Sequence, residues 1–412
     1  MSEDLFGNKT ALSVSTQREL MGRLNQLPIN YVGNKRKLLP HIRRLLDEQE
    51  IQYESVFDAF SGSGLVSLMF HAMGKRVVSN DLLSSSALNA LFYLWIKDCP
   101  LTQDEANNLV DGKPKLTLRI LDDPDLKIPN VFEPEEAQFL DRVRSNIYEQ
   151  LTPMPPGARS HSMDPLETQG VFVGVKTTGL PRILPWSPSS HTCSWIRSDA
   201  EKATYAMLAL VNHILQKCFL GGRYYNGQTL ARVDARTKRS GNLLEGLRPQ
   251  LFPRKGELLH LIKFLKDIPG HGDVYNCDII RLLETRVVET DLIYLDPPYG
   301  GDSSDYAALY EVCETLVRGR RPRDDKDFLE ASKRFCGKGG YKAGFDSVLD
   351  LCKGFPFWLI SFNESSYATV ADIETQIGRF GRRVQSFPVK YKYNYRKGNG
   401  SENEFLILAR RS

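Results

Sequence analysis

Residues 55–81 constrain the fold more than any other stretch of the chain. Ser55-Val56-Phe57-Asp58-Ala59-Phe60 is a short β-branched and aromatic run bounded by small residues, which predicts a buried strand. Ser61-Gly62-Ser63-Gly64 predicts a tight turn, and Leu65 to Met73 a helix. A second strand is expected over Arg76-Val77-Val78-Ser79; it stops at Asn80-Asp81, and Ser84 to Lys97 predicts a further helix. Strand, glycine turn, helix and return strand ending on an acid make a βαβ unit. In such units a nucleoside lies across the strand ends with its ribose hydroxyls on the acid. Asp81 follows Gly64 at close to the ~20 residues expected of that arrangement. The turn does not spell GxGxxG, which argues against a nicotinamide dinucleotide.

A second feature supplies chemistry. Leu292-Ile293-Tyr294-Leu295 is an apolar run that stops on Asp296-Pro297-Pro298-Tyr299, placing Asp296 and Tyr299 at the carboxyl end of a strand, where open α/β sheets hold ligands. An exocyclic amine on a nucleobase is a poor nucleophile because its lone pair spreads into the ring. Two acceptors on a rigid turn, the Asp296 carboxylate and the Pro297 carbonyl, can receive its two N–H groups and leave the lone pair facing an electrophile. The prolines fix φ and remove competing donors, and Tyr299 offers a face for stacking an extruded base. Taken alone, Asp-Pro-Pro-Tyr is also an ordinary strand-to-loop exit.

The chain of 412 residues, 41% hydrophobic and 25% charged, has the composition of a soluble globular protein with room for two domains. No apolar segment reaches the ~20 residues of a membrane helix, and Met1 to Lys9 carries no apolar signal core, so a cytoplasmic location is expected. Its seven cysteines are scattered without a CxxC pair, which predicts reduced thiols and no metal site. A net charge of +4 leaves the choice of partner to local clusters.

Residues 1–27 are a polar lead-in. Ile29 to Lys37 is a glycine turn with a basic cluster, followed by apolar residues at helical spacing through Leu46. From about residue 100 to 254 prolines and glycines break the chain into loops, with one helix expected near Ser198 to Cys218. Arg223, Tyr225, Asn226, Gln228, Arg232 and Arg236 interleave cations, aromatics and amides there, the mixture that grips phosphates and reads base edges. The α/β pattern resumes with a helix over Glu257 to Lys266 and a strand from Val274 that is expected to end on Asp278. Gly300 to Tyr306 is a polar loop suited to closing over a substrate. A strand at Phe357 to Ser361, a basic and aromatic loop at Lys390 to Gly398 containing Lys392, Asn394 and Tyr395, and a strand at Glu404 to Leu408 complete the chain.

Taken in order, these segments resemble the D12 class of adenine-N6 DNA methyltransferases, the Dam-like family. Asn30-Tyr31-Val32-Gly33-Asn34-Lys35 is similar to its amino-terminal cofactor motif, Phe57 to Gly64 to its FxGxG motif, Asn80-Asp81 to its ribose-binding acid, Cys277-Asp278-Ile279 to its next acidic segment, and Asp296 to Tyr299 to its catalytic tetrapeptide. The cofactor motifs precede the catalytic one with the insert between them, the order of the alpha group. The resemblance implies an α/β, Rossmann-like methyltransferase sheet with helices on both faces, formed by residues 28–99 and 256–412, and an inserted target recognition domain at 100–255. It implies S-adenosylmethionine held by Tyr31, Lys35, Asp58, Phe60, Gly62, Gly64, Asp81, Asp278 and Ile279, with Lys35 near the methionine carboxylate. Catalysis falls to Asp296, Pro297 and Tyr299, acting on an adenine flipped from double-stranded DNA without a metal or covalent intermediate. A monomer, with a cognate restriction endonuclease that forms no stable complex, is the expected setting. Alternatives are cytosine-N4 transfer, where Ser-Pro-Pro-Tyr is more usual, adenine-N6 transfer on RNA, and a catalytically inactive DNA-binding subunit.

Overall fold

The computed structural model describes residues 35–96, 98, 101–115, 121, 132–151, 194–217, 219–220, 223–224, 242–254, 257–268, 270, 272–298, 305–319, 321–363, 368–391 and 402–411. The first unit runs α1 (Leu39–Glu48), β1 (Ser55–Asp58), α2 (Leu65–Ala72), β2 (Arg76–Asn80) and α3 (Ser84–Trp95). Next come α4 (Gln103–Asp111), α5 (Pro134–Leu151), α6 (Ser194–Lys217), a two-stranded hairpin of β3 (Phe219–Leu220) and β4 (Arg223–Tyr224), and α7 (Arg248–Leu251). The second half holds α8 (Glu257–Asp267), β5 (Asp273–Tyr275), α9 (Ile279–Glu284), β6 (Leu292–Leu295), α10 (Tyr306–Leu309), α11 (Glu311–Arg318), α12 (Lys326–Lys333), α13 (Gly337–Leu351), β7 (Phe357–Asn363), α14 (Val370–Gly378), β8 (Arg382–Tyr391) and β9 (Glu402–Arg411).

Seven strands form one sheet in the order β5-β2-β1-β6-β7-β9-β8. β5, β2, β1, β6 and β7 pair in parallel, and β9 runs antiparallel to both of its neighbours. Strand order reverses at β1, which has β2 on one side and β6 on the other. The carboxyl ends of β1 and β6 therefore flank the crevice where a doubly wound sheet binds its ligand.

Alternation along the strands builds the layers. Val56, Val77, Leu292, Tyr294 and Leu359 join one apolar cluster with α1, α2 and α3; Phe57, Val78, Ile293, Leu295, Trp358 and Ile360 join another with α9, α13 and α14. Successive strand side chains point to opposite faces, so each apolar run feeds both clusters and every central strand is covered by helices on both sides.

The structure corrects three sequence readings. The strand expected to end on Asp278 ends at Tyr275, and Asp278 instead caps α9, its carboxylate accepting from Ile280 N–H at 3.2 Å. Residues 100–254 hold α4, α5 and the short α7 besides the expected helix, which is α6. The start of α4 is a reciprocal capping box between Thr102 and Glu105, a local signal present in the sequence. Residues Lys390 and Tyr391, expected in a loop, close the ten-residue strand β8. Helices α5 and α6 pack on each other, α6 also packs on α3, and both share its apolar cluster, so these parts of the 100–255 stretch are built into the body that carries the sheet.

Two carboxylates hold the framework from a distance. Glu314 on α11, fully buried, accepts from Ser84 N–H (2.9 Å), Ser85 N–H (2.8 Å) and Ser85 Oγ (2.6 Å), capping α3, whose own N-cap residue, Leu83, has no side-chain acceptor. Asp291, just before β6, accepts from Glu54 N–H, Ser55 N–H and Ser55 Oγ and so registers β6 against β1. Partial burial would raise its pKa, but those hydrogen bonds outweigh that and hold it below the ordinary value.

Candidate active site

The crevice between β1 and β6 is bounded by a turn that carries two glycines in the left-handed region. Gly62 and Gly64 both have positive φ, +49° and +74°. A Cβ on Gly64 would also stand 2.9 Å from the ring of Tyr93, so this glycine is required by the packing of the turn on α3 as well as by its backbone. Asp81, just past β2, holds the turn: its Oδ2 accepts from Gly62 N–H at 2.7 Å and its Oδ1 from Leu83 N–H at 2.8 Å. Each carboxylate oxygen has a second lone pair, so Asp81 keeps acceptor capacity toward a hydroxyl. Burial pushes its pKa to about 7 against the lowering effect of those N–H groups.

Asn80, buried beside it, ties three strand ends together. Its Nδ2 donates to the carbonyls of Ala59 (3.3 Å) and Cys277 (3.2 Å), and its Oδ1 accepts from Cys277 N–H (3.3 Å). The amide thereby fixes the ends of β1, β2 and the segment after β5 that carries Asp278 and Ile279. Asp278 is paired with Arg334 at 2.8 Å, Ile279 is buried in the core, and Phe60 meets Phe335 edge to face at 5.4 Å.

Asp58 ends β1 with no exposure at all. Its Oδ2 accepts from Ser67 Oγ at 2.6 Å, whereas its Oδ1 is a buried acceptor with no hydrogen-bond partner among the described residues. Desolvation raises its pKa to about 7, with Asp296 and Asp81 adding to the effect and the Ser67 hydrogen bond opposing it. An orphaned buried carboxylate oxygen is costly on its own, and it suits a cationic donor delivered by a ligand.

On the other side of the crevice, Asp296 follows β6 directly. Its Oδ1 accepts from Ser361 Oγ at 2.8 Å, and Ser361 in turn accepts from Tyr294 OH at 3.0 Å. Lys35 Nζ lies 3.1 Å from the same Oδ1 and 2.9 Å from Glu404 Oε1. Glu404, fully buried at the start of β9, accepts at Oε2 from Asn363 Nδ2 at 3.1 Å. Tyr306, at the start of α10, feels Asp296, Lys35, Asp81 and Glu404; burial first and Asp296 next push its hydroxyl up to about 12.

The structure thus brings Lys35, Asp58, Gly62, Gly64, Asp81, Asp296 and Pro297 to one end of the sheet, with Phe60, Asp278 and Ile279 beside them. Tyr31, Tyr299, Tyr225, Asn226, Gln228, Arg232, Arg236, Lys392, Asn394 and Tyr395 lie outside the described residues, and Arg223 is described only as part of β4. Sequence reasoning did not single out Ser361, Asn363 or Glu404. Glu404 had a usable signal, an acid opening the apolar run Phe405-Leu406-Ile407-Leu408. Among the described residues no helix is long and apolar enough to cross a membrane, and no group of acidic, His and Cys side chains is arranged to hold a metal ion.

A mostly parallel sheet covered on both faces, with a glycine turn at its reversal point and Asp-Pro-Pro after the adjoining strand, has the architecture of a Rossmann-like methyltransferase fold. Residues 31–107 match the model of the D12 class N6 adenine-specific DNA methyltransferases. Type II methyltransferase M2.HphI of Haemophilus parahaemolyticus is 22% identical over 387 residues, a span of 92% of this chain and 96% of that protein. Fold, site and match therefore make this chain similar to the D12 class of N6 adenine-specific DNA methyltransferases.

Proposed function

We propose that this protein is a site-specific, S-adenosylmethionine-dependent methyltransferase that modifies the N6 amine of an adenine flipped out of duplex DNA. The observation that carries the proposal is the position of Asp296: a carboxylate on a rigid turn across the strand reversal from the glycine-bearing turn, oriented by Ser361 and Lys35. S-adenosylmethionine, when bound, supplies an electrophilic methyl group on a sulfonium. Asp58 would receive its ammonium at the orphaned Oδ1, Asp81 its ribose hydroxyls, and the segment at Asp278 and Ile279 its adenine. Tyr31 belongs to the same pocket by its motif.

For the target, Asp296 and the Pro297 carbonyl accept from the two N6–H groups and turn the lone pair outward. Tyr299 stacks on the base, replacing the neighbours it lost on leaving the duplex. Asp296 then takes the proton released as the N6–methyl bond forms. Base readout is assigned to Arg223, Tyr225, Asn226, Gln228, Arg232 and Arg236, with Lys392, Asn394 and Tyr395 at the rim; within 100–255, target recognition falls to segments other than the packed helices α5 and α6. The name of the relative supports a role as the modification enzyme of a restriction-modification system. We assign the protein to the cytoplasm as a monomer that meets its endonuclease only through shared DNA sites.

The test is transfer of labelled methyl from S-adenosylmethionine to DNA free of adenine methylation, followed by nucleoside analysis and methylation-sensitive sequencing. N6-methyl-2′-deoxyadenosine at a defined sequence is expected. Label confined to N4-methylcytosine, or transfer to RNA and not to duplex DNA, overturns the proposal.

A further inference from the structure

Among the described residues, Glu404 is a buried acid at the site that the reaction above leaves without a task. It sits on β9, the strand that runs opposite to its neighbours, so its amino end reaches the level where the parallel strands end. There Glu404 faces Asn363 across the β7–β9 ladder, and Asn363 fixes its Oε2. Its Oε1 shares the Lys35 ammonium with Asp296, the side chains of Glu404, Lys35 and Asp296 being 0%, 8% and 16% exposed.

We propose that Glu404 is a positioning residue for methyl transfer, acting through Lys35 to keep the Asp296 carboxylate a strong acceptor for the N6 protons; this rests on the adenine-N6 reading above. A buried ammonium 3.1 Å from the reacting carboxylate draws electron density from the oxygen meant for the substrate and lowers its basicity. A second carboxylate at 2.9 Å divides that ammonium between two anions. The three groups then carry a net charge of about −1, the sign that favours an amine becoming positive as it is methylated. Buried ion triads add little to stability compared with apolar packing, so one beside a reacting group is better explained by chemistry than by folding. The other groups acting on this carboxylate are Asp58 at the end of β1, Tyr294 on β6 and Tyr306 on α10, and Asp81 beyond β2 acts on Asp58 and Tyr306.

Glu404→Gln preserves shape and removes the charge. In the full-length protein, with S-adenosylmethionine and duplex DNA, it is expected to lower kcat by about 10-fold or more and leave KM for S-adenosylmethionine within about twofold. It is also expected to move the acid limb of kcat to lower pH by about one unit, because Asp296 then faces an undivided ammonium without a like-charged neighbour. Lys35→Met moves that limb upward. A fall in kcat with the limb unmoved overturns the proposal, since a purely structural defect has no reason to change the titration. Heat unfolding gives a readout independent of activity: Lys35→Met strands two carboxylates and lowers Tm, and adding Glu404→Gln recovers part of the loss. Additive losses overturn the coupling. A wild type inactive on duplex DNA refutes the adenine-N6 reading and this inference with it, whereas an active wild type with an unmoved limb in Glu404→Gln refutes the inference alone.

Discussion

Asp58→Asn tests the cofactor side of the site in a way that can be worked from the structure. In the folded protein burial holds this acid at about 7 against an ordinary 3.8, and that gap at ~1.4 kcal/mol per pH unit corresponds to ~4 kcal/mol. Because the folded-state value is raised, the group favours the fold while protonated. Its contribution is complete below pH ~4 and is lost as pH rises through about 7. Asparagine removes the buried charge but puts an N–H where Oδ1 has no partner, at a cost of roughly 1–3 kcal/mol. The variant should therefore be more stable than wild type by about 1–3 kcal/mol at pH 8 and no more stable, or slightly less, at pH 4. Urea midpoints at the two pH values measure this directly. Calorimetric titration at pH 8 should show S-adenosylmethionine affinity reduced by about 10- to 100-fold, the loss of a charge-assisted hydrogen bond. A stability difference that is the same at both pH values, or an unchanged affinity, would refute the assignment of Asp58 as a desolvated acid awaiting a cation.

Three further outcomes are expected. Asp296→Ala should reduce methyl transfer by about 10²- to 10⁴-fold while S-adenosylmethionine affinity, read by calorimetry, changes little. Glu314→Ala removes the acceptor for two backbone N–H groups and a hydroxyl in the core and should destabilise the protein by about 2–5 kcal/mol, seen as a lower denaturant midpoint with the cofactor absent. Gly64→Ala should lose about 1–3 kcal/mol by the same measurement, because φ is +74° and the new methyl meets the Tyr93 ring.

Much of the site was legible in the sequence because its parts are local. The strand that ends on Asp58, the glycine turn, the acid at Asp81 and the strand that ends on Asp296 each depend on a few consecutive residues and on where an apolar run stops. The helix start at Thr102 is equally local, but the stretch from about 100 to 254, taken as a whole, reads as loops. The segment at Asp278 shows the limit of that kind of signal. An acid after an apolar run marks a strand end in one place and a helix cap in another, and the choice is made by how far β5 can pair with β2 before the chain turns.

What the sequence by itself determined is a set of short elements, each with its polar residue at a definite end, and hence the chemistry available at that end of a parallel sheet. Only the tertiary structure decided which of those ends meet. Strand order, with β6 beside β1, joins Asp58 and Asp296 across one crevice although they lie far apart in the chain. The reversed direction of β9 carries Glu404 to Lys35, and α11 lends Glu314 to the start of α3. These are pairings between remote segments, fixed by sheet register and by the burial of both faces at once, and no local propensity contains them.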